Sequence, residues 1–438
     1  MLSAQAASIQ PFLKDSYTTE DLQKLETLLN DSGTFRFEAL SNGLFPAALA
    51  LQDDTEYTGY SNCWVRDNVL VAWGLYASGR VEPAVRSLQT LADYFLKSRH
   101  RFDNLIAGKS DPNDPMQRPH IRIRGEQLEE IDQHWAHAQN DALGYFLWAF
   151  SRLACDRAFE PTSDQIDLMI LFVETLHALK FWEDEDSGHW EEVRKIAASS
   201  IGTATAGLLE FSRFYDERAD LFQEHQIACD RIDILEDSIT RGRNALYSIL
   251  PAECVQEDPL KNRKYDAALL FLIEPLQIVN YEMADRIISD IQEHLLGDYG
   301  IRRYVGDSYW CADYKEKLSP EQRTDDFSDN QETRDALLQP GEEAQWCIFD
   351  PILSVIYAKR YHQSGDIIDL KKQVEYFQRA LTQLTAEDCR MGGLRCPESY
   401  YLENGTFVPN DITPLLWTQA NLLQALEWMK KSTETNIQ

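Results

Sequence analysis

Residues 415–429 read Leu-Leu-Trp-Thr-Gln-Ala-Asn-Leu-Leu-Gln-Ala-Leu-Glu-Trp-Met. Leu415, Leu416, Trp417, Ala420, Leu423, Leu426 and Met429 form an apolar face too wide for a helix that lies on a surface, so this helix is expected to be buried on several sides. Helices that bury it must come from the rest of the chain. Working outward, apolar residues recur at helical spacing through most of the sequence, and alternating strand-like runs are few and short. The pattern predicts helices near 18–31, 65–79, 82–99, 135–154, 163–180, 197–216, 218–248, 265–276, 281–297, 342–362, 367–384 and 413–430, twelve in all. Thr18 with Asp21 reads as a capping box, and Thr162 or Ser163 opens the stripe of Ile166, Met169, Ile170 and Val173. The predicted class is all-α.

The connections 32–64, 100–134, 298–341 and 385–412 are long and rich in Asp, Pro, Gly, Arg and aromatics, which marks them as functional loops rather than linkers. Twelve helices joined alternately by short and long connections suit a ring of helix pairs with a site at one end. No stretch has the composition of a domain boundary, so residues 1–438 are expected to form a single domain with nothing left over for a separate binding module. The 438 residues include 72 acidic and 42 basic ones, a net charge of −30. A negative field of that size repels phosphate backbones and anionic lipids, which argues against nucleic acid and membranes as partners. Residues Met1 to Pro11 lack the features of an export signal, and no apolar run approaches the ~20 residues that span a bilayer. Eight cysteines are scattered without metal-like spacing. A cytoplasmic protein with free, buried thiols is expected, with a Cys389–Cys396 pair as the alternative for an exported chain.

Four clusters carry chemistry. Tyr60-Ser-Asn-Cys-Trp64-Val-Arg66-Asp67 stands at a helix start, where an Arg–Asp pair is ordinarily a cap and a surface charge. Two aromatics beside it turn the reading toward a sugar subsite, since sugars lie on aromatic faces and bond Asp and Arg through their hydroxyls. In Trp135-Ala-His137-Ala-Gln139-Asn140-Asp141, polar groups open an intensely apolar helix and must bond to the protein or face a wet cavity. His137 reads as a structural histidine. His189-Trp190-Glu191-Glu192 precedes a run of small residues that lets the next helix approach closely, and Trp190 is placed to screen one carboxyl from water. Glu398 lies in Arg395-Cys-Pro397-Glu398-Ser-Tyr400-Tyr401, again among aromatics.

Together with Gly300-Ile-Arg-Arg303-Tyr304-Val-Gly-Asp307, these segments resemble the glucoamylase family, glycoside hydrolase family fifteen, in order and local spacing over about residues 40 to 430. Trp64-Val-Arg-Asp-Asn, Asp266-Ala-Ala-Leu-Leu, Gln345-Trp346, Pro397-Glu398-Ser-Tyr400 and Pro414-Leu-Leu-Trp417-Thr-Gln are most similar to the glucoamylase-like domain of phosphorylase kinase α and β regulatory subunits. The resemblance implies an (α/α)6 toroid, with Glu191 as general acid and Glu398 as general base of an inverting glycosidase. It implies that Glu192 holds the leaving sugar and that Arg66 and Asp67 grip the outermost glucose. Tyr60, Trp64, Trp135, Gln139, Asp141, Trp190, Arg303 and Trp346 complete the implied substrate lining. Ser399 and Tyr400 follow the base as in the kinase subunits, where glucoamylases have Gln, whereas Glu192 stands where those subunits carry a basic residue.

Inverting cleavage uses one protonated and one ionised carboxyl about 6.5–9.5 Å apart and needs neither metal nor organic cofactor. Glu191 is expected to have its pKa raised by burial against Trp190 and by the like charge of Glu192. Two functions follow: an inverting exo-acting hydrolase of α-glucosides, or a carbohydrate-binding regulatory protein in the manner of the kinase subunits, for which alone a protein partner is implied.

Overall fold

The computed structural model describes residues 5–49, 59–226, 229–323 and 325–435. Residues 1–4 of the segment read for an export signal, 50–58 of the loop 32–64, and 227–228 of the expected helix 218–248 lie outside the described residues.

Eleven long α-helices are present among the described residues: α1 (Thr19–Asp31), α2 (Val65–Ala77), α3 (Val81–Lys97), α4 (Asn140–Cys155), α5 (Ser163–Leu179), α6 (Ala198–Glu217), α7 (Leu235–Ile249), α8 (Tyr281–His294), α9 (Phe349–Ser364), α10 (Ile367–Thr382) and α11 (Leu416–Thr435). The expected twelfth, 265–276, is instead a short 3-10 helix, Ala267–Leu272, opened by Asp266, whose carboxylate accepts from the Ala268 N–H. Around it Leu270, Phe271 and Leu272 are fully buried. Apolar content made this segment look helical, but a single tight turn already fills its place in the ring. The expected helix 218–248 is split into Ala219–Glu224 and α7.

The elements alternate between two rings. α2, α4, α6, the 3-10 turn, α9 and α11 pack side by side in a closed inner circle, and α1, α3, α5, α7, α8 and α10 back them from outside. This is an (α/α)6 barrel. Burial follows from position: every residue of α4 except Arg152 is buried, and Leu415, Leu416, Ala420, Leu422, Leu423, Ala425 and Leu426 are each at most 2% exposed, as the breadth of the 415–429 face requires. Caps define the outer ring. Thr18 with Asp21 closes a capping box on α1, and Thr162 with Gln165 does so on α5.

Two small antiparallel sheets sit in the long loops. One joins β1 (Cys63–Trp64), β2 (Arg122–Arg124) and β3 (Glu129–Glu130); the other joins β4 (Gln345–Trp346), β5 (Ser399–Glu403) and β6 (Thr406–Pro409). Registers of two to four residues carry no periodic signal, which is why they were not legible as strands. Their effect is positional: pairing Trp64 with Arg122 and Trp346 with Ser399 fixes loop side chains over the end of the barrel where α2, α4, α6, α9 and α11 begin.

The closest helix crossing is α4 on α6. A Cβ on Gly144 would stand 2.6 Å from the Ala204 nitrogen, and one on Gly207 would stand 2.6 Å from the Gly144 carbonyl oxygen. The neighbouring atoms are backbone, so neither side can yield by turning a rotamer. Gly144→Ala is therefore expected to cost about 1–3 kcal/mol through overpacking, read as a lowered thermal midpoint; an unchanged midpoint would mean that the two helices are free to part.

Candidate active site

One cavity opens at the end of the barrel where the inner helices start. Its walls come from segments all round the ring: Tyr60, Trp64, Arg66 and Asp67 around the start of α2; Trp135 before α4; His189, Trp190 and Glu191 before α6; Arg303, Tyr309, Phe327 and Arg334 from the loop 298–341; Trp346 before α9; and Glu398, Leu415 and Trp417 around the start of α11. Among the expected residues, Gln139, Asp141 and Glu192 do not line it. They stand one layer behind.

The Arg66 guanidinium is 5% exposed and ties that layer to the cavity. Its Nη1 donates to Gln139 Oε1 and Asp141 Oδ2, each at 2.8 Å, and its Nη2 reaches Glu191 Oε1 at 3.4 Å. Gln139 Nε2 donates to the same Glu191 oxygen at 3.1 Å. Glu191 caps the 3-10 turn Gly188–Trp190 in the left-handed region, φ 56°, a conformation that a non-glycine residue holds only where its surroundings impose it. The bridge between Asp186 and Lys195 closes the base of this loop. Burial raises the Glu191 pKa, and the Arg66 charge and the Gln139 hydrogen bond work against that rise.

Glu192 takes no part in raising it. Its side chain is 1% exposed and points away into a cationic shell: Arg263 Nη2 at 3.0 Å and Lys195 Nζ at 3.8 Å on Oε2, with Arg334 Nη2 at 3.2 Å, Arg303 Nη2 at 3.4 Å and the Tyr304 hydroxyl on Oε1. Despite burial, these cations hold its carboxyl well below the usual range. The adjacent carboxylates thus do opposite things, one facing the cavity and one neutralised inside the wall. The expected rise by burial is present at Glu191, whereas the like charge that adds to it is that of Asp326 rather than the expected Glu192.

Glu398 is 2% exposed. Tyr60 donates its hydroxyl to Oε1 at 2.9 Å, and Asn410 Nδ2 donates to Oε2 at 2.6 Å. Burial pushes its pKa up to about 7 against both hydrogen bonds. Asp67 is pushed up to about 6, again by burial, with Arg66 opposing. Tyr60 and Tyr309 share a 2.9 Å hydroxyl contact. Arg303, clamped to Asp307 by two 2.6 Å bonds, lies 4.9–5.1 Å from the ring centroids of Trp346, Tyr309 and Trp190. Trp190 itself is fixed by its indole N–H on Asp266 Oδ1 at 2.9 Å. Arg122 stacks at 3.9 Å over Trp135 and 5.1 Å over Trp64.

The sequence profile of glycosyl hydrolases family 15 matches residues 24–423. The chain belongs to that family. A glycosidase variant solved in complex with glucose superposes with a TM-score of 0.65 at 18% identity, covering 94% of this chain and 99% of that one. The glucoamylase of Saccharomycopsis fibuligera does so at 0.59 and 12% identity, covering 96% and 97%. A probable phosphorylase b kinase regulatory subunit alpha of Caenorhabditis elegans is 24% identical over 421 residues, 86% of this chain, and this chain spans only 31% of its length. Within the family-15 barrel, sequence reasoning missed Tyr309, Phe327, Arg334 and Trp417 as cavity residues. The first three sit in the loop 298–341, whose composition marks it as functional but which has no periodicity to say which side chains turn inward; the pattern of 415–429 places Trp417 in the core, and it lies both there and at the cavity. His137 accepts the Ile121 N–H at 3.3 Å and stacks on His120 at 3.8 Å, a structural role as expected.

Arg66 and Asp67 should fail differently. Arg66→Met leaves the fully buried Asp141 without its cation and should lower stability by about 3–5 kcal/mol. Asp67→Asn, whose neighbour stays paired, should keep its thermal midpoint within a few degrees. Equal midpoints for the two variants would show that the Arg66–Asp141 pair does not support the fold. The pH dependence has a definite sign. A carboxyl raised from 4.5 to about 7 binds its proton more tightly folded than unfolded, so it lowers stability progressively as pH rises from about 4.5 to 7. By linkage this amounts to about 3 kcal/mol in order of magnitude. Glu398→Gln should accordingly melt above the wild type at pH 8 and converge with it near pH 5; the opposite order would mean that Glu398 is ionised without strain.

Proposed function

We propose that this family-15 barrel is an inverting, exo-acting glycoside hydrolase that cleaves α-glucosidic bonds of a gluco-oligosaccharide or a small glucoside. The observation that carries the reading is the pair Glu191 and Glu398. They come from loops more than two hundred residues apart in sequence, both open on one cavity, and both are raised by burial amid aromatic faces. A binding pocket has no need of two buried carboxyls; general acid–base cleavage does.

In this reading a glucosyl residue lies against Trp64, Trp135, Trp190 and Trp346, with its hydroxyls on Arg66, Asp67 and Arg303. Glu191 gives its proton to the leaving oxygen, and its desolvated wall keeps that proton in place. Glu398 in its ionised form takes a proton from water on the opposite face of the ring, and water attacks the anomeric carbon with inversion. Walls drawn from all round the ring suit a chain end. Gln139, Asp141 and Glu192 contribute by holding Arg66, Glu191, Arg303 and Arg334 from behind. The residues supply acid, base and binding groups without a metal or organic cofactor.

The similarity to the kinase regulatory subunit, together with Ser399 and Tyr400 after Glu398, favours a second reading: a carbohydrate-binding regulatory protein that acts on a protein partner. Turnover separates the two. A cytoplasmic setting is part of the proposal, supported by the seven cysteines whose side chains are described, all of them free, Cys389 and Cys396 included. Among the described residues no helix is long and apolar enough to cross a membrane.

Hydrolysis of α-glucosides should release β-glucose first, measured by NMR of the fresh product. Glu191→Gln should lose several orders of magnitude on substrates with poor leaving groups and much less on α-glucosyl fluoride, whereas Glu398→Gln should lose comparably on both. Fresh α-glucose would remove Glu398 as a base, and sugar binding without any hydrolysis would favour the regulatory reading. Because the base must be ionised, kcat/KM should fall as pH drops through about 7, the value to which burial brings Glu398 in the free protein.

A further inference from the structure

Glu398 has a second protein donor besides the tyrosine that faces the cavity. Asn410 is fully buried and is not among the cavity-lining residues, so it is not placed to touch a sugar. Its backbone is held on both sides: its N–H donates to the Ser399 carbonyl at 2.9 Å, and its carbonyl accepts from the Thr413 hydroxyl at 2.9 Å. The Glu398 N–H donates to the Ile412 carbonyl at 3.0 Å. Residue 410 and the base are thereby fixed across one narrow ladder at the root of the β5–β6 hairpin. The Asn410 Nδ2 contact with Glu398 Oε2 is 2.6 Å, and Oδ1 of the same amide is buried with no partner among the described residues. A buried carboxamide with an unsatisfied oxygen is costly compared with an apolar side chain of the same size, so its contribution must come from the group it does bond.

We propose that Asn410 is a positioning residue for the general base, holding Glu398 by Oε2 so that Oε1, on the Tyr60 side, is the oxygen presented to the attacking water. The assignment rests on Glu398 acting as base. An amide donor stabilises the ionised carboxyl and opposes the rise caused by burial. The other titratable or charged groups around Glu398 are Tyr60 and Asp67 at the start of α2, Arg303 and Tyr309 from the loop 298–341, and Cys347 after β4. All of these remain when residue 410 is changed.

The test compares Asn410→Ala and Asn410→Asp with the wild type on an α-glucoside across pH. Loss of the donor should move the acid limb of kcat/KM upward by about one pH unit, so that activity falls about tenfold at pH 6 but only about twofold at pH 8, with KM nearly constant. Asn410→Asp conserves volume but offers an acceptor, so it should be the worse variant if the donor matters and the milder one if only packing does. Should Asn410→Asp fail to fold, Asn410→Ala carries the comparison, with its thermal midpoint measured alongside. Titration of 13Cδ-labelled glutamate, with the Glu398 resonance identified by its loss in Glu398→Gln, reads the same shift without turnover. An unmoved limb and an unmoved titration would overturn the proposal. A wild type that titrates as expected but hydrolyses nothing would sink the catalytic reading of Glu398, while the titration still decides whether Asn410 holds its ionised form.

Discussion

The buried guanidinium of Arg66 is the contact on which the cavity end of the barrel depends. From the first turn of α2 it reaches Gln139 and Asp141 at the start of α4 and Glu191 in the turn before α6, so one side chain fixes the mutual position of three inner-ring openings. Its cost in desolvation is offset by the carboxyl groups around it, first the fully buried Asp141 at 2.8 Å and then Glu191 and Asp67. The same cation limits how far burial raises the neighbouring acid. Fold and chemistry share this contact. A barrel that lost it would lose the orientation of Glu191 together with the packing of α2 on α4.

Glycine and other small residues set the second condition. α4 and α6 approach until backbone meets backbone at Gly144 and Gly207, and α2 meets α11 where a Cβ on Gly74 would lie 2.8 Å from that of Ala420. Close inner packing narrows the ring, so the loops at its end converge on one cavity rather than spreading over a plateau. The net charge of −30 does not predict the local field there. Arg263, Arg303, Arg334 and Lys195 gather round one glutamate, and Arg66 lines the cavity while Arg122 stacks on its Trp64 and Trp135.

Much of the fold was legible because its signal is long. Among the described residues ten of the twelve expected helices are present as single helices and 218–248 as two, and the wide face of 415–429 correctly announced a helix buried on several sides. The segment 265–276 misled because apolar content alone does not separate a buried 3-10 turn from a buried helix, and 135–139 because its aromatic and polar residues continue a helical period while the backbone folds into two successive three-residue turns, with the His137 N–H on the Trp135 carbonyl and the Gln139 N–H on the His137 carbonyl, before α4 begins at Asn140. At the site, the resemblance to family 15 implied Tyr60, Trp64, Arg66, Asp67, Trp135, Trp190, Glu191, Arg303, Trp346 and Glu398 as a common lining, and all of them border one cavity. What sequence could not convey is direction. Glu191 and Glu192 are neighbours with identical side chains, and only the positive φ at Glu191 and the four cations around Glu192 decide which faces the cavity.

That division bears on how acid and base are told apart. Burial raises both Glu191 and Glu398 and outweighs the partners of each. Their direct contacts differ in kind: Glu191 has a guanidinium and an amide on a single oxygen, whereas Glu398 has two neutral donors, one on each oxygen. A cation lowers a carboxyl's proton affinity through charge at a distance and is weakened wherever solvent enters; neutral donors act only at contact and survive desolvation. A sugar that displaces water from the Glu191 side buries that carboxyl further, while Glu398, already 2% exposed, has little left to lose. In the proposed hydrolase, because burial outweighs the Arg66 charge at Glu191, substrate entry should raise Glu191 relative to Glu398, the ordering that proton donation by the first and proton abstraction by the second would require.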